Sequence, residues 1–357
     1  MKQENRLNQI KNSISPLDAS AMASAREHQN KLIKPLGSLG TLEDISVQFA
    51  GITGKVKNRI DKKIHILFGA DNGICAEGVS SAPQEFTNWL ISCYGAGRNA
   101  GINVLCKTHG IDLKLVDMGV KGNLDYSGID NRRIMEGTNN FAKEPAIPFD
   151  TVLKAVEIGI SYGDFASEQG YDIIGTGEVG IGNTTTAAAC IMAALGITEP
   201  DLAVGRGAGL TDESFAGKKQ IILSALNKHK PDKNNPLDII SKVGGLDIAA
   251  LTGLYLSAAF HKIPIVIDGV ISIAAALLAV GLNPNVKGYL FPSHLSEEPG
   301  YALAADFLGL KPYLSLNMRL GEGTGCPLAI GVITDALAIM SDMDTFDDLS
   351  LDSEFRV

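Results

Sequence analysis

The chain has 357 residues, 45% of them hydrophobic and 20% charged, a globular balance long enough for one large domain or two smaller ones. A net charge of −9 without a basic run argues against nucleic acid or an anionic membrane as partner, and still allows a local pocket for one phosphate. The five cysteines, Cys75, Cys93, Cys106, Cys190 and Cys326, show neither CxxC nor Cys/His spacing; they argue against a zinc site and a disulfide framework, and fit a reducing cytoplasm.

The first 18 residues, MKQENRLNQIKNSISPLD, hold no apolar core of a secretory signal. The first 60 are polar with helical spacing, broken at 34–44 by KPLGSLGTLED. From residue 64, short apolar runs alternate with glycine-rich patches and helical stretches. The runs lie in IHILFGADNG (64–73), DLKLVDMGV (112–120), YDIIGTGEVGIGN (171–183), IPIVIDG (263–269), VKGYLFPSH (286–294) and YLSLNMRLGEG (313–323). Their length is that of buried parallel strands. Strands alternating with helices predict an α/β fold with a parallel sheet and right-handed crossovers. The polar patches then fall at the carboxyl ends of the strands, where open α/β sheets bind ligands. The most apolar stretch, 263–282, is long enough to raise a membrane span. Asp268 interrupts it, and it reads as a core strand followed by a buried helix. A last helix over about 325–341 closes the chain and is expected to join the N-terminal helices in a small lobe.

Several patches carry chemistry. GTGEVGIGNTTTAAA (175–189) has Gly175, Gly177 and Gly180 at GxGxxG spacing. A clearly placed acidic partner for a dinucleotide ribose is missing, and so is the GKS or GKT of a triphosphate loop. Asn183, Thr184 and Thr185 open a helix whose free N–H groups and dipole favour a monophosphate; ordinary helix capping accounts for them equally. VGRGAGLTDESFAGKK (204–219) supplies a second glycine loop and Lys218, a point charge suited to a phosphate or an exposed surface lysine. In PSHLSEEPG (292–300) a Ser/His pair suggests a nucleophile, but no acidic partner is placed and GxSxG is absent. GADNGICAEGVSSAPQEFTNWL (69–90) offers Ala82, Pro83, Phe86 and Leu90 for an apolar pocket or for core packing. Last, LGEGTGC (320–326) sets Glu322 between two glycines, which let a small ligand approach the backbone closely.

Taken in order, GADNG with EGVS, GTGEVGIGNTTTAAA, VGRGAGLTD, KVGGLDIAALTG, IDGVISIAAALLA, SHLSEEPG and LNMRLGEGTG resemble the nicotinate-nucleotide:dimethylbenzimidazole phosphoribosyltransferase family, over about residues 30 to 341. KPLGSLGTLE matches as well. The resemblance implies a Rossmann-like parallel sheet flanked by helices, with a small helical domain built from both termini. The expected division is 1–60 plus 325–357 for the small domain and 61–324 for the large α/β domain. It implies transfer of the phosphoribosyl group of nicotinate mononucleotide to a lower base of cobamides, without cofactor or metal, by a homodimer. It makes Glu322 the general base and puts Ala82, Pro83, Phe86, Leu90, Glu178 and Leu320 around the aromatic base. Gly180, Gly182, Asn183, Thr184, Thr185, Gly205, Gly207, Lys218 and Ser296 go to the nucleotide and its phosphate. Better-known members carry Asp-His-Gly where this chain has Asp71-Asn72-Gly73, and a Ser and a Gln at the positions of Ala82 and Leu90. An alternative follows, a phenol- or p-cresol-activating paralogue working as one subunit of a heterodimer. A nicotinamide-dependent oxidoreductase and a non-catalytic nucleotide-binding paralogue are the competing classes.

Overall fold

A computed structural model describes residues 2–207 and 209–350. In chain order the elements are α1 (Lys2–Ser13), α2 (Ala19–Gln29), α3 (Thr41–Thr53), β1 (Lys63–Ala70), α4 (Phe86–Gly95), α5 (Gly101–His109), β2 (Asp112–Gly119), β3 (Ile129–Asn131), α6 (Phe149–Glu168), β4 (Ile173–Val179), α7 (Asn183–Leu195), α8 (Asp212–His229), α9 (Pro236–Val243), α10 (Leu246–Phe260), β5 (Ile265–Ile267), α11 (Val270–Leu282), β6 (Leu290–Pro292), α12 (Pro299–Leu308) and α13 (Gly325–Asp342).

The six strands form one sheet in the order β3-β2-β1-β4-β5-β6, and every pair is parallel. Leu67 sits in register with Leu115 on one side and Gly177 on the other. This is the doubly wound order that reverses direction between β1 and β4, and such reversals open a crevice at the carboxyl edge. The strands read as continuous apolar runs because helices cover both faces: β4 is buried along its whole length. The apolar 263–282 stretch resolves into β5 and α11, and α11 is buried from Val270 to Ala279. An all-apolar helix of this kind belongs to a core between layers.

The N-terminal helices are set by local signals. Asp18 caps α2 by accepting the N–H groups of Ser20 and Ala21, and Gly54, in the left-handed region, ends α3. The KPLGSLGTLED segment is tied down by a buried ion pair, Lys34 Nζ to Glu43 Oε1 at 2.7 Å. Helix α13 packs on α3 and also reaches α5, β4 and β5. A small apolar cluster of Ala25, Val47, Ala50 and Met340 joins α2, α3 and α13. The expected small domain extends to 357, and residues 351–357 lie outside the described residues.

One expected strand is absent and one unannounced strand is present. The 313–323 run is not a strand: among the described residues only Leu314 makes a parallel bridge, to His294. Leu316 and Leu320 are exposed, so the run has no second layer to bury against, and Asn317 takes a left-handed φ of 54° that breaks extension. Conversely β3, Ile-Asp-Asn, has no apolar run to announce it and exists only as an edge paired to β2.

Candidate active site

At the carboxyl edge of β4, β5 and β6 lies a cavity of about 290 Å³, walled by α4, the turn into α7 and the 319–322 loop. Ala82, Phe86, Leu90, Val270 and Ile271 are among its apolar lining. Glu178, Asp268, Asn183, His294, Ser296, Glu298 and Glu322 give the lining its polarity.

Glu322 is held in an unusual conformation. Its φ is 64°, between Gly321 and Gly323, both at 82°; a left-handed residue with a side chain costs roughly 1–2 kcal/mol. The loop is pinned to offset that cost. Asp268, just beyond β5, accepts the N–H groups of Gly323 (3.2 Å) and Gly325 (2.8 Å), and the Thr324 hydroxyl donates to Gly321 O (2.8 Å). Below the loop lies the imidazole of His65 on β1. A side chain at Gly175, Gly177 or Gly323 would run into that ring. Two glycines of the GxGxxG pattern therefore make room for His65, and the third, Gly180, closes on Ala70 O. All three meet protein atoms where a Cβ would stand. Burial pushes His65 down to about 4, so the ring is neutral. Among the described residues neither ring nitrogen has a well-formed hydrogen-bond partner.

The Glu322 carboxylate points back at α4 and α5. Tyr94 Oη donates to Oε1 (2.8 Å) and the Ile102 N–H to Oε2 (3.3 Å). Ile102 is in the first turn of α5, where the helix dipole favours a negative charge. Burial raises the Glu322 pKa, and these two donors pull against the rise. Two further acids, Glu178 and Asp268, feel the Glu322 charge. Burial and neighbouring carboxylates push Glu178 up to about 8. Burial likewise drives Asp268 up to about 7 and Asp247, in α10, up to about 6. The Asn183 amide donates to Glu178. The floor of the cavity is thus built for a cation or for a proton.

The other end suits an anion. Gly182 precedes α7 with a left-handed backbone, and no side chain caps the helix. The ordinary capping role considered for Asn183 and the threonines is not taken. Asn183 turns to Glu178, and Thr184 accepts from Lys218 Nζ (3.0 Å). Lys218 is buried, not a surface lysine; it also donates to Gly205 O (2.9 Å). Burial lowers its pKa to about 8, with Glu298 acting in the opposite sense. Glu298 itself accepts the N–H of Gly207 (2.8 Å).

Of the sequence-derived residues, Ala82, Phe86, Leu90, Glu178, Gly180, Gly182, Asn183, Thr184, Gly207, Ser296, Leu320 and Glu322 line this cavity. Lys218 and Gly205 stand behind its wall, linked through Thr184. Pro83 is exposed and Thr185 is fully buried; neither lines the cavity. Asn72 is buried too, its amide near Ala70 O at 3.5 Å, and stands off the cavity wall. The Ser293 and His294 pair is no relay: Ser293 Oγ and Asp268 both face the same ring nitrogen, Nδ1, at 3.0 and 3.8 Å. A nucleophile triad needs both nitrogens. Sequence reasoning missed Tyr94, Asp268, Asp247 and His65. Tyr94 had a signal, since residues 86, 90 and 94 recur every fourth position along α4.

A doubly wound sheet with an acid-floored apolar cavity and an anion-suited helix start defines a nucleotide-handling enzyme. The phosphoribosyltransferase family model matches residues 14–350, and the chain belongs to that family. The nicotinate-nucleotide–dimethylbenzimidazole phosphoribosyltransferase of Clostridium perfringens is 48% identical over 98% of this chain and 96% of its own length. The protein of that name from Acetivibrio thermocellus is 44% identical over 95% of this chain and 96% of its own. Among solved structures, CobT from Thermus thermophilus superposes with a TM-score of 0.90 at 36% identity, covering 94% of this chain and 99% of that one.

Proposed function

We propose that the chain transfers the phosphoribosyl group of nicotinate mononucleotide to 5,6-dimethylbenzimidazole. The products are nicotinate and the α-riboside 5′-phosphate of the base. The observation that carries this is Glu322, a partly buried carboxylate held over an apolar cavity whose floor is acidic. The incoming ring nitrogen attacks C1′ of the ribose. The bond from C1′ to the pyridinium nitrogen breaks, and its electron pair cancels the pyridinium charge. The attacking base is left with one proton too many, and Glu322 takes it. A carboxylate is a better base near neutral pH when burial raises its pKa.

The other residues serve binding. Glu178 and Asp268, both on the cavity lining, face the pyridinium and then the positive charge that develops on the ribose, and a cation there favours their ionised form. Ala82, Phe86, Leu90 and Leu320 enclose the base. Lys218, Thr184, Gly207 and Ser296 take the phosphate, the remote handle that fixes the sugar for attack from the opposite face. The names of the relatives favour dimethylbenzimidazole, and the phenolic alternative with a heterodimeric partner is not favoured. A second copy of the chain fits the stacked Phe86 and Trp89 and the exposed Leu320 at the cavity mouth. The two-domain division, 1–60 plus 325–357 and 61–324, is supported by α13 packing on α3. The five free cysteines suit the cytoplasm.

The test is Glu322→Gln. The amide is nearly isosteric and can still accept from Tyr94, but it cannot take the proton. Loss of a general base costs roughly 10²–10⁴-fold in kcat. A variant within about threefold of wild type at saturating substrates removes Glu322 from the mechanism.

A further inference from the structure

We propose that Tyr94 is a positioning residue for the transfer: its hydroxyl keeps Glu322 a carboxylate and fixes which way that carboxylate faces. The inference rests on Glu322 being the base and goes beyond it. Tyr94 sits on α4, one turn after Leu90, with its ring 1% exposed and its hydroxyl at the cavity wall. Its Oη donates to Glu322 Oε1 at 2.8 Å, and the Ile102 N–H takes Oε2 at 3.3 Å. The two donors come from different helices and grip different oxygens, so the carboxylate plane is fixed. Gly101 leaves the space for this approach: a side chain there would lie 3.3 Å from Oε2.

The surroundings make such a grip necessary. Glu322 has acids on other elements within electrostatic reach, Glu178 on β4 and Asp268 after β5, each raised in part by its charge. Asp247, in α10, is fully buried off the cavity lining and its charge raises Glu178. His65 beneath the loop is neutral, and so is the His294 side of the cavity, where burial lowers the ring's pKa. Arg319, at the rim, faces Glu297 at 3.6 Å, and Lys218 is engaged behind Thr184. Burial favours protonating Glu322, which would remove the base. Among the described residues the Tyr94 and Ile102 donors oppose this. Tyr94 cannot fail as a donor by ionising, because burial and the Glu322 charge push its phenol well above the usual range.

The experiment is the pH dependence of kcat for Tyr94→Phe, which keeps the ring and removes the donor. The acidic limb of the profile, set by ionisation of the base, moves to higher pH. The variant is about tenfold slower than wild type near pH 6, and the gap closes towards pH 9. KM for the mononucleotide stays within about twofold. Tyr94→Met fills similar space without a donor and shows the same displaced limb, so a folding failure of one variant leaves the other to decide. Profiles that superimpose on wild type, or a loss equal at every pH, overturn the inference. The companion is Glu322→Gln with Tyr94→Phe together, which is no slower than Glu322→Gln alone. An active Glu322→Gln sinks the base assignment itself. An inactive Glu322→Gln beside an unshifted Tyr94→Phe sinks only the role of Tyr94.

Discussion

Replacing Lys218 by Met should weaken nicotinate mononucleotide far more than it slows the chemistry. Methionine keeps most of the side chain's length and removes its charge. In the free protein Lys218 Nζ already meets Thr184 Oγ1 and Gly205 O, at 3.0 and 2.9 Å. Thr184 lies on the cavity wall, so a phosphate at the start of α7 comes within reach of the ammonium. A charge-assisted hydrogen bond contributes about 1.5–3 kcal/mol, which is roughly a 10- to 150-fold rise in Kd. The pH dependence is a second reading of the same group. Burial brings Lys218 down to about 8, and a bound phosphate favours its charged form. Binding above pH 8 must therefore take up a proton, and affinity falls as pH rises through that range. Lys218→Met has no proton to gain, and its affinity stays flat there. Isothermal titration calorimetry at several pH values reads both effects. The substitution also leaves Gly205 O without its donor, at a cost of about 1–3 kcal/mol in stability, so each titration is made well below the variant's Tm. An unchanged Kd, or the same decline above pH 8 in the variant, refutes the placement of the phosphate beside Lys218.

Glu178→Gln should stabilise the ligand-free protein at alkaline pH while impairing turnover. Glu178 is raised from 4.5 to about 8 in the fold; its favourable contribution is complete below about 4.5 and is lost as pH rises through about 8. The variant removes that titration, so thermal melts should agree at about pH 4.5 and diverge by roughly 2 °C or more, in its favour, at about pH 8.5. Leu90→Gln puts an amide into the apolar lining of the cavity. One added hydrogen bond is worth about 1 kcal/mol, so KM for dimethylbenzimidazole should fall about fivefold in steady-state assays, with the mononucleotide KM unchanged.

How much of this could be read from the chain alone differs by element. β1, β2, β4, β5 and β6 were legible because a strand covered on both faces must be apolar throughout, as β4 is. The 313–323 run has similar composition and is no strand; burial, which decides the matter, depends on neighbours that the local sequence does not show. The glycines of GTGEVG were visible, but their use was not: they accommodate His65, a residue more than a hundred positions earlier that meets them only because β1 and β4 are adjacent. Lys218 could be read as a phosphate ligand or as a surface lysine until α8 was seen packed on α7. Asp268 read only as a break in an apolar stretch. Its work, holding Gly323 and Gly325, joins segments 55 and 57 residues apart. Tyr94 was one helical turn beyond the pocket stripe already recognised.

The central claim is a coupled transfer, and one measurement addresses it directly. Purified protein is incubated with nicotinate mononucleotide, with and without dimethylbenzimidazole, and the products are separated by chromatography and identified by mass and by the anomeric proton in NMR. The account predicts nicotinate released only when the base is present, matched one for one by the α-riboside phosphate of that base. Nicotinate released equally without the base, alongside ribose 5-phosphate, would make the protein a hydrolase and contradict it.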